Sequence, residues 1–281
     1  MIYAQWAGYN GRMIRERTAK LDGRRLRWIE SGHEGSGRVA LWAHAFPLSA
    51  EMWRPQLEAV PHGWRYLAPD LAGFGGTDDT EGTASIDDFA QDLGALADHL
   101  GLDRFVLGGL SMGGYSVFAA VRRFAPRLAG IVLADTKAGA DSAAAREGRQ
   151  KMLGLVASDG VSAVADEMLP KLLGATAQRD DAGLVARVRA LIEANSARGV
   201  ARAVERLRDR PDSTALLARM AMPALVLVGE EDGVTPPAEA HAMAAALPKA
   251  TLQVIPRAGH LANLEAPAAF NEAVAAWLEE R

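Results

Sequence analysis

Phe105–Val121, FVLGGLSMGGYSVFAAV, is the longest stretch of this chain without a charge, 17 residues. Gly108, Gly109, Ser111, Gly113 and Gly114 interrupt it, so it does not read as a membrane span. It reads as a buried strand turning directly into a buried helix. A strand apolar on both faces belongs in a sheet covered on both sides. Such sheets are parallel and are built by alternating strands with helices.

The flanking sequence keeps that rhythm. Met13–Leu21 and Arg24–Ser31 bracket Asp22-Gly23, a hairpin turn signal. Val39–Ala45 reads as a buried strand, Ala50–Val60 as a helix ending near Pro61, and Arg65–Asp70 as a strand before the glycine-rich loop Ala72–Thr77. Ser85–Leu100 is the clearest helix. Ser85 caps it, Asp87 and Asp88 suit its first turn, Ile86, Phe89, Leu93, Leu96, Ala97 and Leu100 share one face, and Gly101 stops it. Arg104–Leu110 and Leu128–Asp135 read as strands around the helix Met112–Phe124.

The alternation then fails. Ala138 to about Leu217 carries no strand pattern but has helical patterns near Ser142–Ala157, Val161–Leu173, Ala182–Ala197 and Gly199–Arg208. It resumes with a strand at Ala224–Gly229, a helix at Pro237–Leu247, a strand at Thr251–Pro256 and a helix at Pro267–Glu280. The division expected is an N-terminal extension and first strand (1–22), an α/β core (23–136 and 218–281) and a helical cap inserted into that core (137–217).

Composition limits the chemistry. The chain of 281 residues has a formal net charge of −4, and its 31 basic residues, only five of them Lys, are scattered. No basic stripe marks a nucleic-acid surface. Cysteine is absent, which removes disulfides, thiolate metal sites and a Cys nucleophile, and makes a reducing compartment, the cytoplasm, the default. Met1–Arg17 lacks the apolar core of a secretion signal.

Gly109-Leu110-Ser111-Met112-Gly113 fits G-x-S-x-G between a strand and a helix. A serine on such a turn sits in a strained conformation that flanking glycines permit, and the helix behind it favours negative charge at its head. A hydroxyl needs a base. Of the six histidines, His99 and His241 lie in helices, and His33 and His62 in polar loops. His44 reads as a brace for its own loop. His260 follows a sheet strand at its carboxyl end, where parallel sheets place ligands. Asp232 is the leading carboxylate to orient it and Asp135 the second choice, each following a strand. The backbone N–H groups of Met112 and Phe46 are the candidate oxyanion donors. Trp53, Met152, Leu153, Met168, Leu172 and Leu173 are candidate pocket residues, although core packing alone accounts for any one of them.

Other chemistries fail on detail. There is no G-x-x-x-x-G-K-[ST], no H-E-x-x-H, and Asp78 stands where a dinucleotide fingerprint starting at Gly73 needs its third glycine. No metal site or cofactor is expected.

The segments HAFPLSAEMW (44–53), PDLAGFGGT (69–77), GGLSMGGY (108–115), LVGEEDGVTPP (227–237) and AGHLANLE (258–265) resemble the α/β-hydrolase superfamily, from about Gly23 to Leu278. The chain is most similar to bacterial carboxylesterases acting on short acyl esters, and also to 3-oxoadipate enol-lactone hydrolases. The resemblance implies an eight-stranded, mostly parallel sheet with a helical cap inserted after the strand ending at Asp135. It implies Ser111 as nucleophile, Asp232 as acid, His260 as base and Phe46 and Met112 as oxyanion donors. The expected reaction is ester hydrolysis through an acyl-enzyme, with a small-molecule ester as partner and neither nucleic acid nor membrane. Lactone or carbon–carbon bond hydrolysis and perhydrolysis use the same residues. A dicarboxylate lactone would call for cations such as Arg146, Arg149 or Arg198. A pure binding module would need none of the three triad side chains. Ala45 departs from the usual His-Gly-x-Pro pattern and puts a Cβ beside the presumed acyl site.

Overall fold

A computed structural model describes residues 13–280, so most of the N-terminal extension (1–22), up to residue 12, lies outside the described residues. Asp22 and Gly23 both take positive φ, 48° and 82°. That conformation matches the twist of the flanking strands, β1 (Arg15–Leu21) and β2 (Arg24–Gly32), which pair antiparallel from Leu21 opposite Arg24. β3 (Arg38–Ala43) follows. The helix expected over Ala50–Val60 is instead a 3-10 turn, Ala50–Trp53, leading into the short α1 (Arg54–Glu58). Pro55 explains the difference: it lacks the N–H that a continuous helix needs and is tolerated only in a first turn.

β4 (Trp64–Pro69), α2 (Ile86–His99), β5 (Phe105–Leu110), α3 (Met112–Phe124) and β6 (Leu128–Ala134) lie within a residue or two of expectation. α2 begins at a capping box: the Asp87 N–H donates to Ser85 Oγ and the Ser85 N–H donates to Asp88 Oδ2. Between β6 and β7 the described chain has only helices, α4 (Ala143–Leu172), α5 (Ala175–Asp180), α6 (Ala182–Glu193), α7 (Ala197–Arg208) and α8 (Thr214–Leu217). The two helices expected within 142–173 run together as α4, broken at Gly160, whose φ of 75° no helix accommodates. β7 (Ala224–Gly229), α9 (Pro237–Ala246), β8 (Ala250–Ile255), α10 (Ala262–Glu265) and α11 (Pro267–Glu279) complete the chain. The short α5, α8 and α10 escape a reading by periodicity because one turn carries no repeat.

The eight strands form one sheet in the order β1-β2-β4-β3-β5-β6-β7-β8, parallel from β4 onward, with β1 and β2 antiparallel at one edge. The expected mostly parallel α/β architecture is therefore present. Its core follows from alternation along each strand. Leu41 and Ala43 of β3, Leu107 of β5 and Val226 of β7 face α2, α3 and α9. Ala40, Trp42, Val106 and Leu225, one residue out of step, face α1 and α11 on the other side. Both faces are covered there, so the central strands β3, β5, β6 and β7 are buried and apolar almost throughout.

The helical insertion is fastened to the core by buried polar groups. Arg206 of α7 is fully buried. Its Nη2 donates to Asp79 Oδ1 at 2.7 Å and Asp88 Oδ2 at 2.9 Å, and its guanidinium lies 4.9 Å from the Phe89 ring centroid. Arg202, one turn earlier, donates to Asp79 at 3.0 Å. At the α6–α7 junction the Asn195 amide donates to the Pro47 carbonyl at 2.9 Å and accepts from the Gly75 N–H at 3.0 Å. Arg206→Ala leaves two largely buried carboxylates without their main cation. Chemical denaturation should show a loss of about 3–5 kcal/mol, and a loss under about 1 kcal/mol would mean that the pair does not hold the insertion.

Candidate active site

Ser111 stands between the end of β5 and the first residue of α3 with φ 55° and ψ −112°. The surrounding backbone imposes this turn. A Cβ at Gly109 would collide with the Gly113 carbonyl, and a Cβ at Gly113 with the Ala43 carbonyl oxygen at the end of β3. Only glycine lets the helix start this close to the sheet. The Ser111 N–H donates to the Ala134 carbonyl at 2.9 Å, and the Thr136 hydroxyl donates to the Ser111 carbonyl at 2.9 Å, which pins the turn to β6.

His260 and Asp232 converge on it. His260 Nε2 lies 2.8 Å from Ser111 Oγ, and His260 Nδ1 lies 2.9 Å from Asp232 Oδ2. With Nδ1–H donated to the carboxylate, the Nε2 lone pair faces the hydroxyl. His260 and Asp232 are buried, whereas Ser111 is half-buried. Asp232 is held on both oxygens. Oδ1 accepts the N–H groups of Val234 at 2.8 Å and Thr235 at 3.0 Å, and Oδ2 accepts the Thr235 hydroxyl at 2.7 Å. Burial pushes its carboxyl up, but the His260 contact and the Thr235 hydrogen bonds more than offset this and hold it below the usual carboxylate range. Thr235 went unremarked in the sequence. Its signal was its place three residues after Asp232, the reach of an Asx turn.

Asp135, the second-choice acid, is elsewhere in the network. It is fully buried, has φ 43°, and accepts the Gly229 N–H at 2.7 Å at the end of β7. Burial, reinforced by the charge of Asp232, pushes its carboxyl well above the usual range, opposite to the direction at Asp232.

His44 braces its loop, as its sequence context suggested. Its ring is buried, lies 3.0 Å from the Ala45 carbonyl at Nδ1, and accepts the Leu71 N–H at Nε2 at 3.0 Å. Burial lowers its pKa, so the ring stays neutral and suits this donor–acceptor pair. Ala45 lies in an ordinary backbone conformation, since the positive-φ non-glycine residues are Asp22, Ser111, Asp135 and Arg257. Its N–H points to Met52 Sδ at 3.1 Å. Phe46 is buried in this loop, and Met112 opens α3, where the first N–H groups have no partner within the helix.

The six pocket candidates divide. Trp53 is fully buried, with its ring 5.0 Å from Trp42 and 6.1 Å from Phe270, and belongs to the packing under α11. Leu172 and Leu173 are buried in that same cluster. Met152, Leu153 and Met168 of α4 are half-buried and pack on the apolar cluster that contains Phe46 and Met112. Of the arginines considered in the helical insertion, Arg149 is paired with Asp141 at 3.0 Å, while Arg146 and Arg198 are exposed. Among the described residues no helix is long and apolar enough to cross a membrane.

The raised carboxyl of Asp135 sets a pH trend. Its folded-state pKa is raised, so the unfolded chain, ionising near about pH 4, releases a proton that the folded chain keeps. That contribution weakens the fold as pH rises. Asp135→Asn removes it, and the thermal midpoint of the variant relative to wild type should climb between about pH 5 and about pH 8. A difference constant across that range would show that Asp135 is ionised in the fold.

A family model described as the alpha/beta hydrolase fold matches residues 41–267. A 3-oxoadipate enol-lactonase of Acinetobacter baylyi is 28% identical over 239 residues, covering 85% of this chain and 88% of the relative. Among solved structures, a thermophilic esterase from Thermogutta terrifontis, with malate bound, superposes with a TM-score of 0.89 at 38% identity, covering 95% of this chain and 98% of that one. The enol-lactonase from Burkholderia xenovorans LB400 gives 0.86 at 26% identity, covering 94% and 100%. With its sheet order, its helix-head serine and a family match over most of its length, the chain belongs to the alpha/beta hydrolase fold family.

Proposed function

We propose that this chain is a serine carboxylesterase that hydrolyses short-acyl carboxylic esters. The observation that carries the reading is the continuous hydrogen-bonded relay from Ser111 Oγ through both nitrogens of His260 to Asp232, with the hydroxyl at the head of α3. His260 Nε2 takes the Ser111 proton as Oγ attacks the ester carbonyl carbon. The C=O electron pair moves onto oxygen, where the Met112 and Phe46 N–H groups receive it. Removing one such donor typically costs about 3–4 kcal/mol of barrier lowering. The intermediate collapses, the C–O bond to the alcohol breaks, and His260 returns the proton to the departing oxygen. Water then enters by the same route, freeing the acid and restoring Ser111. The proton taken from Ser111 leaves on the alcohol, and the proton His260 takes from that water returns to Ser111. Asp232, kept ionised, stabilises the imidazolium formed in between. The insertion between β6 and β7 acts as a cap, and Met152, Leu153 and Met168 give it an apolar underside suited to acyl chains.

The esterase and enol-lactonase neighbours support two substrate classes on one triad. The arginines favour the first. A dicarboxylate lactone needs free cations facing the pocket, whereas Arg149 is neutralised by Asp141 and Arg146 and Arg198 are exposed. Lactonase, carbon–carbon bond hydrolase and perhydrolase activities are the alternatives on the same residues.

Hydrolysis of p-nitrophenyl butyrate by Ser111→Ala should fall by at least about 10³-fold with the fold intact. A retained rate ends this reading. Asp232→Asn should lower kcat by about 10³- to 10⁴-fold, and Asp135→Asn far less, because only Asp232 touches the imidazole. Turnover of 3-oxoadipate enol-lactone above that of simple esters would move the substrate to the lactonase class.

A further inference from the structure

Glu265, in α10, takes no part in the steps above, yet its carboxylate joins two segments far apart in sequence. Oε1 accepts the N–H of Leu261, the residue after His260, at 3.1 Å. Oε2 accepts the N–H of Gly174, at the joint between α4 and α5, at 2.8 Å. The Gly259 N–H, just before His260, is a third backbone partner. One side chain therefore grips both neighbours of His260 and the helical insertion at once.

The backbones meet directly at this point. A Cβ on Gly259 would collide with Gly174 N and sit 2.6 Å from its Cα. Beside this contact Glu231, the neighbour of Asp232, accepts the Thr176 N–H at 2.8 Å and the Thr176 hydroxyl. The joint thus rests on the loop carrying His260 and on the loop carrying Asp232. The partners of Glu265 are amides rather than cations. Burial raises its carboxyl above the usual range, against the pull of those three N–H groups, and Glu231 adds to the rise.

We propose that Glu265 is a positioning residue: its carboxylate couples the Gly174 joint of the insertion to the loop carrying His260, so the imidazole is correctly placed only while the insertion is seated. This rests on the assignment of His260 as the base. A displaced imidazole slows proton transfer from Ser111 and leaves ester binding largely intact, so the loss falls on kcat rather than KM.

Glu265→Gln separates the two grips. It keeps the size of the side chain, but its single amide oxygen accepts at one segment while the NH₂ faces the other N–H. With p-nitrophenyl butyrate, kcat should fall about 10- to 100-fold with KM within about threefold, and Glu265→Ala should fall further. A kcat per folded molecule within about twofold of wild type, whatever the thermal midpoint does, overturns the proposal. So does a rise in KM alone. Hydrogen exchange on the wild-type protein supplies a readout that needs no variant to fold. The Gly174 and Leu261 amides should be protected and open together, and free exchange at Gly174 beside protection at Leu261 also overturns it. Labelling of Ser111 by a p-nitrophenyl phosphonate, with Ser111→Ala as control, keeps the two ideas apart. Ser111-dependent labelling and turnover with an unaffected Glu265→Gln removes the positioning role alone, whereas turnover independent of Ser111 removes the esterase reading and the proposal with it.

Discussion

Strands β5, β6, β7 and β8 lie side by side and parallel, so the residues leaving their carboxyl ends emerge in a row with a spacing of about 4.8 Å. Ser111 leaves β5, Asp135 leaves β6, Asp232 follows β7 and His260 follows β8. Ser111 and the end of β8 are three strand spacings apart, roughly 14 Å by that rule. A side chain on β8 itself does not reach Ser111. His260 does so because its loop folds back across the end of β7, where a Cβ on Gly229 would strike the Gly259 carbonyl. The relay among three side chains is therefore a property of the sheet order and of glycines that let one loop lie on another.

The same row explains why the carboxyls of two aspartates at neighbouring strand ends shift in opposite directions. Asp232 is met by a hydroxyl, two backbone amides and the imidazole, all favouring the ionised form. Asp135 lies one strand inward, fully buried, where it accepts the Gly229 N–H at 2.7 Å, has the Ala262 N–H as a second backbone partner and feels the charge of Asp232. Two nearby carboxylates do not both ionise in a low-dielectric site. Asp232 is favoured as the charged partner because it has the donors, and Asp135, its carboxyl pushed upward, hydrogen-bonds the end of β7. Local environment, not residue type, divides the roles.

Much of this was legible in the sequence. The strands and long helices are marked by apolar runs, by Ser85 as a cap and by the Asp22-Gly23 turn, all set by neighbours within a few residues. That Ser111, Asp232 and His260 meet was legible because each follows a strand, and a parallel sheet brings strand ends together whatever lies between them. Features set by contacts across long separations were not legible. Trp53 resembles a pocket aromatic in sequence, but its partners Trp42 and Phe270 lie on β3 and α11. The orientation of Arg149 depends on Asp141 at the insertion's root. The bridge from Glu265 to Gly174 spans 91 residues, and no local pattern encodes it.

These long-range ties also determine how the insertion can behave. Arg206 and Arg202 anchor α7 to the loop and helix around Asp79 and Asp88. Asn195 links the α6–α7 junction to Pro47, beside Phe46, and to Gly75. Glu231 and Glu265 link the α4–α5 joint to the loops bearing Asp232 and His260. Each tie ends on a different core loop, and two of those loops hold groups assigned to the chemistry. An insertion fixed at separated points cannot swing about one hinge without breaking buried hydrogen bonds, each worth roughly 0.5–1.5 kcal/mol and more where a charge is involved. Its packing and the placement of the relay are thus one problem. On the proposed roles, a substitution in the insertion that shifts the Gly174 joint acts on His260 through Glu265, even when it touches no reactant.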